Sequence, residues 1–274
     1  MRDLIKLLGY SKSGLWKYLE GLTYADYKKI IVPNGGIIFI PKEQEQYALV
    51  CVHIDTINDA GNTKAPTEKD LYIRKNYIAL LPNSECACLG GDDRCGVYIA
   101  LKLMDRSIPL AFGFFMDEEI GGVGSALCAD TINGLSVTSF IGLDRKGSNE
   151  LALYGYDNQE LICLFEAMGY NSDWGSFTDA SNLARALGIA CVNLSIGYQH
   201  EHTHNEFIDF AATLNTLKTL STGKIIEFLN SKEFMADCDT LGSYYDDAIC
   251  YGDGGMYYGD ELGFDYGKLY YGYN

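Results

Sequence analysis

The chain has 274 residues, 47% of them hydrophobic, which is enough to build a sizeable buried core. It carries 37 acidic side chains against 21 lysines and arginines, a formal net charge of −16, and this balance argues against nucleic acid or an anionic membrane surface as a partner. No apolar run reaches the roughly 18 residues of a membrane-spanning helix, and the first residues lack the pattern of a secretory signal. The nine cysteines stand at scattered spacing, which favours reduced thiols, so we expect a cytoplasmic protein with no membrane partner.

Residues 1–46 predict two short helices, over Leu4–Leu8 and Leu15–Leu22, and then a hairpin whose turn is Asn34-Gly35-Gly36. After this hairpin, short apolar runs rich in β-branched residues alternate with segments of helical periodicity. The predicted strands are Ile37–Ile40, Ala48–Val52, Pro109–Met116, Val137–Leu143 and Gly188–Ile196. The predicted helices are Val97–Met104, Gln159–Met168, Ala180–Leu187 and Phe207–Leu229.

Continuous apolar strands that alternate with helices are typical of a sheet whose two faces are both covered. We therefore predict an α/β fold with a mostly parallel central sheet and helices on both faces. A single catalytic domain is expected over residues 1–231.

Residues 232–274 differ in composition from the rest of the chain. They hold nine of the 21 tyrosines, eight glycines and nine acidic residues against two lysines. Segments without a helical or strand period predict a disordered or loosely docked tail. A Tyr/Gly-rich tail that mediates contacts with other proteins is the alternative interpretation.

Several predicted strands are followed by side chains that bind metal ions well. These are His53 and Asp55 after the first buried strand, Asp117-Glu118-Glu119 after the next, and Asp144 after the third. In open α/β sheets, ligands bind just beyond the carboxyl ends of the strands. We therefore expect these groups to converge on one crevice although they are far apart in sequence.

Two further segments carry similar side chains. Asp92 and Asp93 follow two glycines at the start of a predicted helix, and three of the four histidines alternate as His200, His202 and His204. Each feature has an ordinary interpretation, such as a helix N-cap for the aspartate pair. Together, these features place carboxylates directly after apolar runs, where burial of a charge is unfavourable unless a positive charge compensates it. Two cations that share one carboxylate would provide that compensation.

The motifs resemble the metal-binding signature of the dinuclear zinc exopeptidase superfamily, which includes bacterial leucyl aminopeptidases, tripeptidase T and the glutamyl aminopeptidases. The resemblance covers about residues 48–210. It rests on His53-x-Asp55, Gly91-Asp92-Asp93-x-x-Gly96, Asp117-Glu118-Glu119-Ile120-Gly121, Asp144, and His202 four residues before Glu206. The segment Thr178-Asp179-Ala180-Ser181 is also similar to one in those peptidases.

The resemblance implies a role for each of these residues. Asp92 would bridge two zinc ions, with Mn²⁺ or Co²⁺ as possible substitutes. His53 and Asp144 would complete one ion, and Glu119 and His202 the other. Glu118 would be the general base, and Asp55 would orient His53. His204 and His200 remain alternatives to His202 as the last ligand.

The sequence departs from tripeptidase T in one respect. Those enzymes carry a lid domain inserted between the counterparts of Asp144 and Thr178-Asp179, whereas here only 35 residues separate Asp144 from Asp179. We therefore expect a catalytic domain without the lid.

The resemblance implies a zinc-dependent exopeptidase that hydrolyses short peptides from the amino end. One alternative is a carboxypeptidase or an N-acyl amino acid amidohydrolase with the same metal centre. Such an enzyme needs a cation for the substrate carboxylate, for which Arg94 and Arg145 are candidates, although structural ion pairs are the simpler interpretation. The alternative of another class is a non-catalytic, metal-stabilised binding protein that acts through its tail.

Overall fold

The computed structural model describes residues 1–61 and 63–237. The helices are α1 (Arg2–Leu8), α2 (Lys12–Gly21), α3 (Ile57–Ala60), α4 (Gly91–Met104), α5 (Val123–Asn133), α6 (Gln159–Glu166), α7 (Asp179–Leu187), α8 (Phe210–Leu220) and α9 (Gly223–Leu229). The strands are β1 (Tyr27–Val32), β2 (Gly36–Pro41), β3 (Tyr47–His53), β4 (Leu71–Arg74), β5 (Tyr77–Leu80), β6 (Ala111–Phe115), β7 (Val137–Arg145), β8 (Glu150–Leu153), β9 (Asn171–Trp174), β10 (Cys191–Ser195), β11 (Tyr198–Gln199) and β12 (Phe207–Asp209).

Eight strands form one sheet in the order β1-β2-β6-β3-β7-β10-β8-β9. The central strands β6, β3, β7 and β10 run parallel to one another. At one edge β1 and β2 form an antiparallel hairpin, and at the other β8 lies antiparallel to β10 and parallel to β9. The predicted α/β fold with a mostly parallel sheet is confirmed.

Helices cover both faces of this sheet, as predicted. Along β3, Ala48, Val50 and Val52 belong to one buried cluster, while Leu49 and Cys51 belong to the other, because successive side chains of a strand point to opposite faces. The first cluster contains buried residues of α1, α2, α4, α6, α8 and α9. The second contains buried residues of α5 and α7.

The predicted N-terminal helices and hairpin are present. Ser11 caps α2 by accepting a hydrogen bond from the Gly14 N–H at 3.2 Å. In the turn between β1 and β2, Asn34 has a φ of 59°, a left-handed conformation that asparagine tolerates better than most residues.

The prediction of one helix over Phe207–Leu229 is wrong. The segment begins as β12, which pairs with β5 in a second sheet of order β11-β12-β5-β4 that the hydrophobic pattern did not reveal. Asp209 then caps α8 by accepting the Ala211 N–H at 3.0 Å. The helix ends near Ser221, where Thr222 has an extended backbone before α9 begins.

The cysteines, the lengths of the helices and the start of the predicted tail bear on three further predictions. The cysteines of the described residues are free thiols, and all but Cys163 are buried. Among the described helices, none is long and apolar enough to cross a bilayer. In the predicted tail, Phe234 is buried and its N–H donates to the Thr138 carbonyl at 2.7 Å. Residues 238–274 lie outside the described residues, so the loosely docked tail stays a prediction for them.

We expect Gly124→Ala to destabilise the fold by about 1–3 kcal/mol, the usual range for overpacking. Gly124 lies in the first turn of α5, where a Cβ would overlap the carbonyl oxygens of Met116 and Gly35. Gly134→Ala is the matched control, since a Cβ there meets nothing closer than 3.5 Å and its φ is −83°. Urea unfolding of both variants measures the difference, and equal midpoints would contradict the prediction.

Candidate metal centre

Three neighbouring parallel strands deliver side chains to the same edge of the large sheet. His53 is the last residue of β3, Asp144 lies near the end of β7, and Glu118 and Glu119 follow the end of β6. Cys51 of β3 is aligned with Gly142 of β7, so His53 and Asp144 both lie two residues beyond an aligned pair. The start of α4 adds Asp92, and the loop after β11 adds His202.

Asp92 lies between the two histidines. Its Oδ1 is 2.9 Å from His53 Nε2, and its Oδ2 is 3.2 Å from His202 Nε2. On the first side, His53 Nε2 is also 3.4 Å from Asp144 Oδ1. On the second, His202 Nε2 is 2.9 Å from Glu119 Oε2. Each oxygen of Asp92 therefore faces one imidazole, and each imidazole is close to one further carboxylate.

Of the three alternating histidines, His202 is the one that contacts Asp92 and Glu119. His204 Nε2 lies 3.2 Å from the carbonyl oxygen of Ser84. The His200 ring is next to Phe207, with ring centroids 5.7 Å apart. The geometry therefore favours His202 over its two neighbours as a ligand.

Glu118 lies beside the His53 side of the centre. One ligand atom from each of Glu118, His53 and Asp144 falls within 4.8 Å of the others, and the same holds for His53, Asp92 and Glu119. Burial raises the pKa of Glu118 to about 10, and the Asp144 carboxylate adds to this rise. A proton-accepting role for Glu118 therefore requires positive charge nearby.

The pKa values of the other groups reflect the same crowding. Burial raises the pKa of Asp144 to about 7, with a further contribution from Asp92. Burial also disfavours ionised Asp92, but contacts with His202 and His53 outweigh it and lower the pKa of Asp92. Hydrogen bonds to Asp92 and Glu119 raise the pKa of His202 to about 11. Without a cation, the raised pKa values of His202, Glu118 and Asp144 all favour the protonated forms of these groups.

The donor set fits a divalent transition metal. Imidazole nitrogens and carboxylate oxygens are ligands that bind zinc, and they also bind Mn²⁺ and Co²⁺. In addition, Glu119 Oε1 is buried and has no hydrogen-bond partner. A buried carboxylate oxygen without a donor is unfavourable unless a cation satisfies it.

A second group of carboxylates surrounds the centre and binds backbone N–H groups instead. Asp55 accepts the N–H groups of Glu118 and Glu119, both at 3.2 Å, and its Oδ1 lies 3.5 Å from His53 Nδ1. Asp55 therefore fixes the turn that carries both glutamates and lies beside the ring of His53.

Asp93 explains the Gly-Asp-Asp-x-x-Gly motif. Its carboxylate accepts the His53 N–H at 3.0 Å and the Gly96 N–H at 2.9 Å. A Cβ at Gly96 would overlap the Asp93 carboxylate and the Leu143 carbonyl, so only glycine fits. The peptide bond between Asp92 and Asp93 is cis. Asp92 contacts the histidines, whereas Asp93 binds backbone N–H groups.

Glu206, four residues after His202, has a structural role that accounts for this part of the motif. It is buried, and it accepts the Gly90 N–H at 2.8 Å and the Asp92 N–H at 3.1 Å. Gly91 is tightly enclosed, since a Cβ there would lie 2.9 Å from the Glu206 carboxylate. Glu206 therefore ties the loop that carries His202 to the start of α4.

Sequence reasoning missed three residues that hold Asp144. Thr178 Oγ1 donates to Asp144 Oδ2 at 3.1 Å, the Tyr198 hydroxyl donates to the Asp144 carbonyl at 3.0 Å, and the Asn193 side-chain oxygen accepts the Asp144 N–H at 2.9 Å. Only Thr178 carried a signal, through the Thr178-Asp179-Ala180-Ser181 segment. Asn193 lies in a predicted strand whose apolar pattern indicated burial alone, and Tyr198 lies just beyond that strand, in β11, which was not predicted.

The two candidate arginines both make contacts within the protein. Arg94 is 1% exposed, and its guanidinium donates to the carbonyls of Asp55 at 3.3 Å and Tyr10 at 3.1 Å. Arg145, at the end of β7, pairs with Asp173 of β9. These contacts support their interpretation as structural residues.

We expect Glu206→Ala to destabilise the protein by about 1–3 kcal/mol, because the N–H groups of Gly90 and Asp92 lose their buried acceptor. Glu201→Ala is the control in the same loop, since its surface ion pair with Lys146 contributes little. Chemical denaturation of the metal-free proteins gives both values. Equal losses for the two variants would refute the role of Glu206.

Comparison with solved structures identifies proteins of the same architecture. The aminopeptidase PepT from Bacillus cereus superposes with a TM-score of 0.60 at 15% identity, covering 83% of this chain and 97% of that one. A tripeptidase from Staphylococcus aureus gives 0.60 at 12% identity, with 84% and 97% covered. A TET aminopeptidase from a marine sediment archaeon of the Thaumarchaeota gives 0.59 at 14% identity, with 85% and 96% covered.

No protein-family profile and no curated protein sequence matches the chain. Between Asp144 and Asp179, a stretch described throughout, the chain holds β8, α6 and β9 and no inserted domain. At identities this low the similarity establishes the fold. The chain therefore has the exopeptidase fold that its motifs imply, without the lid.

Proposed function

We propose that the protein is a zinc-dependent exopeptidase that hydrolyses short peptides from the amino end. One observation carries the proposal: the Asp92 carboxylate lies between His53 with Asp144 on one side and His202 with Glu119 on the other. This is the arrangement expected of a carboxylate that bridges two ions. The peptidase names of the superposed structures support the same class of reaction.

In this proposal His53 and Asp144 would hold one zinc ion, Glu119 and His202 would hold the other, and Asp92 would contribute to both. When bound, the ions supply a water of lowered pKa and polarise the scissile carbonyl. Glu118, beside His53 and Asp144, would accept a proton from the attacking water and donate it to the leaving amine as the peptide C–N bond breaks. Asp55 would hold His53 and the two glutamates in position, because it accepts the N–H groups of Glu118 and Glu119 and lies beside the His53 ring.

Cleavage from the amino end is favoured by the charges around the centre. A carboxypeptidase or an N-acyl amino acid amidohydrolase needs a cation for the substrate carboxylate. The nearby cations Arg94, Arg145 and Lys12 are engaged with protein carboxylates or carbonyls. The acidic surroundings suit a free α-ammonium group instead.

We expect the purified protein to hold two zinc ions per chain and Asp92→Ala to lose both, since the two ions share this residue. Elemental analysis after dialysis measures the stoichiometry. Asp130→Ala is the control, because Asp130 is an exposed aspartate of α5. An Asp92→Ala protein that keeps two ions would contradict the bridging role.

We expect Glu118→Gln to retain its zinc and to lose about 10²- to 10⁴-fold in kcat, the usual contribution of a general acid–base group. Steady-state hydrolysis of a chromogenic aminoacyl amide, with zinc measured on the same samples, tests this. If the variant kept most of its turnover, Glu118 would not be the proton acceptor.

We expect aminoacyl amides to be cleaved and N-acyl amino acids to be left intact, because Arg94, Arg145 and Lys12, the nearby cations of the described residues, are engaged within the protein. The same assay on a chain ending at Asp237 tests the non-catalytic alternative. This truncation keeps Phe234, which is buried. Retained turnover supports an enzyme, whereas preferential cleavage of N-acyl amino acids would favour the amidohydrolase.

A further inference from the structure

One lysine of the N-terminal helices reaches the loops that carry the metal centre. Lys12 Nζ lies 2.6 Å from Asp117 Oδ1, and the Lys12 backbone N–H donates to Asp59 Oδ1 at 2.9 Å. Asp117 directly precedes the two glutamates, and Asp59 lies in α3, just after the His53-x-Asp55 motif. Lys12 therefore joins the loop after β6 to the loop after β3.

Arg94, at the start of α4, connects a third segment to the same region. The Arg94 guanidinium donates to the carbonyl of Tyr10 at 3.1 Å and lies 3.9 Å from the Asp59 carboxylate. Arg94 follows Asp92 and Asp93 in the first turn of α4. Residues 10–12 thus contact three of the segments from which the carboxylates around His53 arise, and Asp144 of β7 belongs to a fourth.

The loop after β6 needs such support because it turns sharply. Asp117 has a φ of 59°, and Gly121 and Gly122 also have positive φ values. Asp55 holds this loop from inside through the N–H groups of Glu118 and Glu119. Lys12 holds it from outside, through the Asp117 side chain. The half-buried ion pair is 31% exposed at the lysine and 22% at the aspartate.

We propose that Lys12 is a positioning residue that holds the 117–119 turn, and with it Glu118 and Glu119, in place at the metal centre. The proposal rests on the proposed function. Lys12 makes no contact with the ligand side chains, so it acts through Asp117. Removal of its ammonium group should let the turn move, which weakens the ion held by Glu119 and misplaces the proton acceptor.

The test compares Lys12→Met, which keeps most of the stem, with Lys12→Arg, which keeps the charge, in the full chain. Lys17→Met is the matched control, because Lys17 is an exposed lysine of the same helix. We expect Lys12→Met to lower the affinity for the more weakly bound zinc ion by about 10- to 100-fold, as loss of a supporting contact typically does. It should lower kcat about tenfold or more at nearly constant KM.

Lys12→Arg should keep most of the zinc affinity and kcat that Lys12→Met loses. If Lys12→Met fails to fold, Asp117→Asn breaks the same contact and takes its place in the comparison with Lys12→Arg. Asp117→Asn removes the partner charge while asparagine tolerates the positive φ. The double variant Lys12→Met/Asp117→Asn should lose no more zinc affinity or kcat than either single variant, since all three variants break the same contact. Zinc affinity, measured by competition with a chromogenic chelator, needs no peptidase activity, so it tests Lys12 even if the proposed function fails.

Three results would overturn the proposal. Zinc affinity and kcat of Lys12→Met equal to those of Lys17→Met would show that the contact does not position the turn. A raised KM at unchanged kcat would show that Lys12 binds substrate instead. Additive losses in the double variant would show that Lys12 does not act through Asp117.

Discussion

The crowding of carboxylates around Asp92 is the constraint on which the site depends. Buried like charges repel one another and lose hydration, so each must find a compensating group. The structure solves this for an outer set, Asp55, Asp93 and Glu206, since each accepts two backbone N–H groups. The inner carboxylates Asp92 and Glu119 have imidazoles as their closest partners, and Glu119 Oε1 has no donor. Asp144, the third, has Thr178 Oγ1 at 3.1 Å and His53 Nε2 at 3.4 Å. The outer set fixes the backbone, and in the proposed function the inner set would bind the cations.

The sequence predicts the convergence of these groups because the topology is simple where they arise. The strands β6, β3 and β7 are parallel neighbours, so polar residues that follow each apolar run must meet at one edge. The Gly-Asp-Asp-x-x-Gly motif is readable for a related reason. Gly96 is packed against the Asp93 carboxylate so closely that no other residue fits, and the spacing between them records that contact.

Other features were not predictable from one sequence. The short strand β12 is defined by pairing with β5, more than a hundred residues earlier, so the local helical pattern of Phe207–Leu229 concealed it. The side chains of Tyr198 and Lys12 make long-range contacts with Asp144 and Asp117, and such contacts leave no periodicity or spacing in the chain. Supporting residues of this kind become visible only when the elements that carry them are placed together.

The central claim is that two cations share Asp92. Anomalous diffraction at the zinc edge, from crystals of the full chain grown with zinc, tests it most directly. We expect two peaks, one next to His53, Asp144 and an oxygen of Asp92, the other next to His202, Glu119 and the second oxygen of Asp92. A single peak, or peaks away from Asp92, would contradict it.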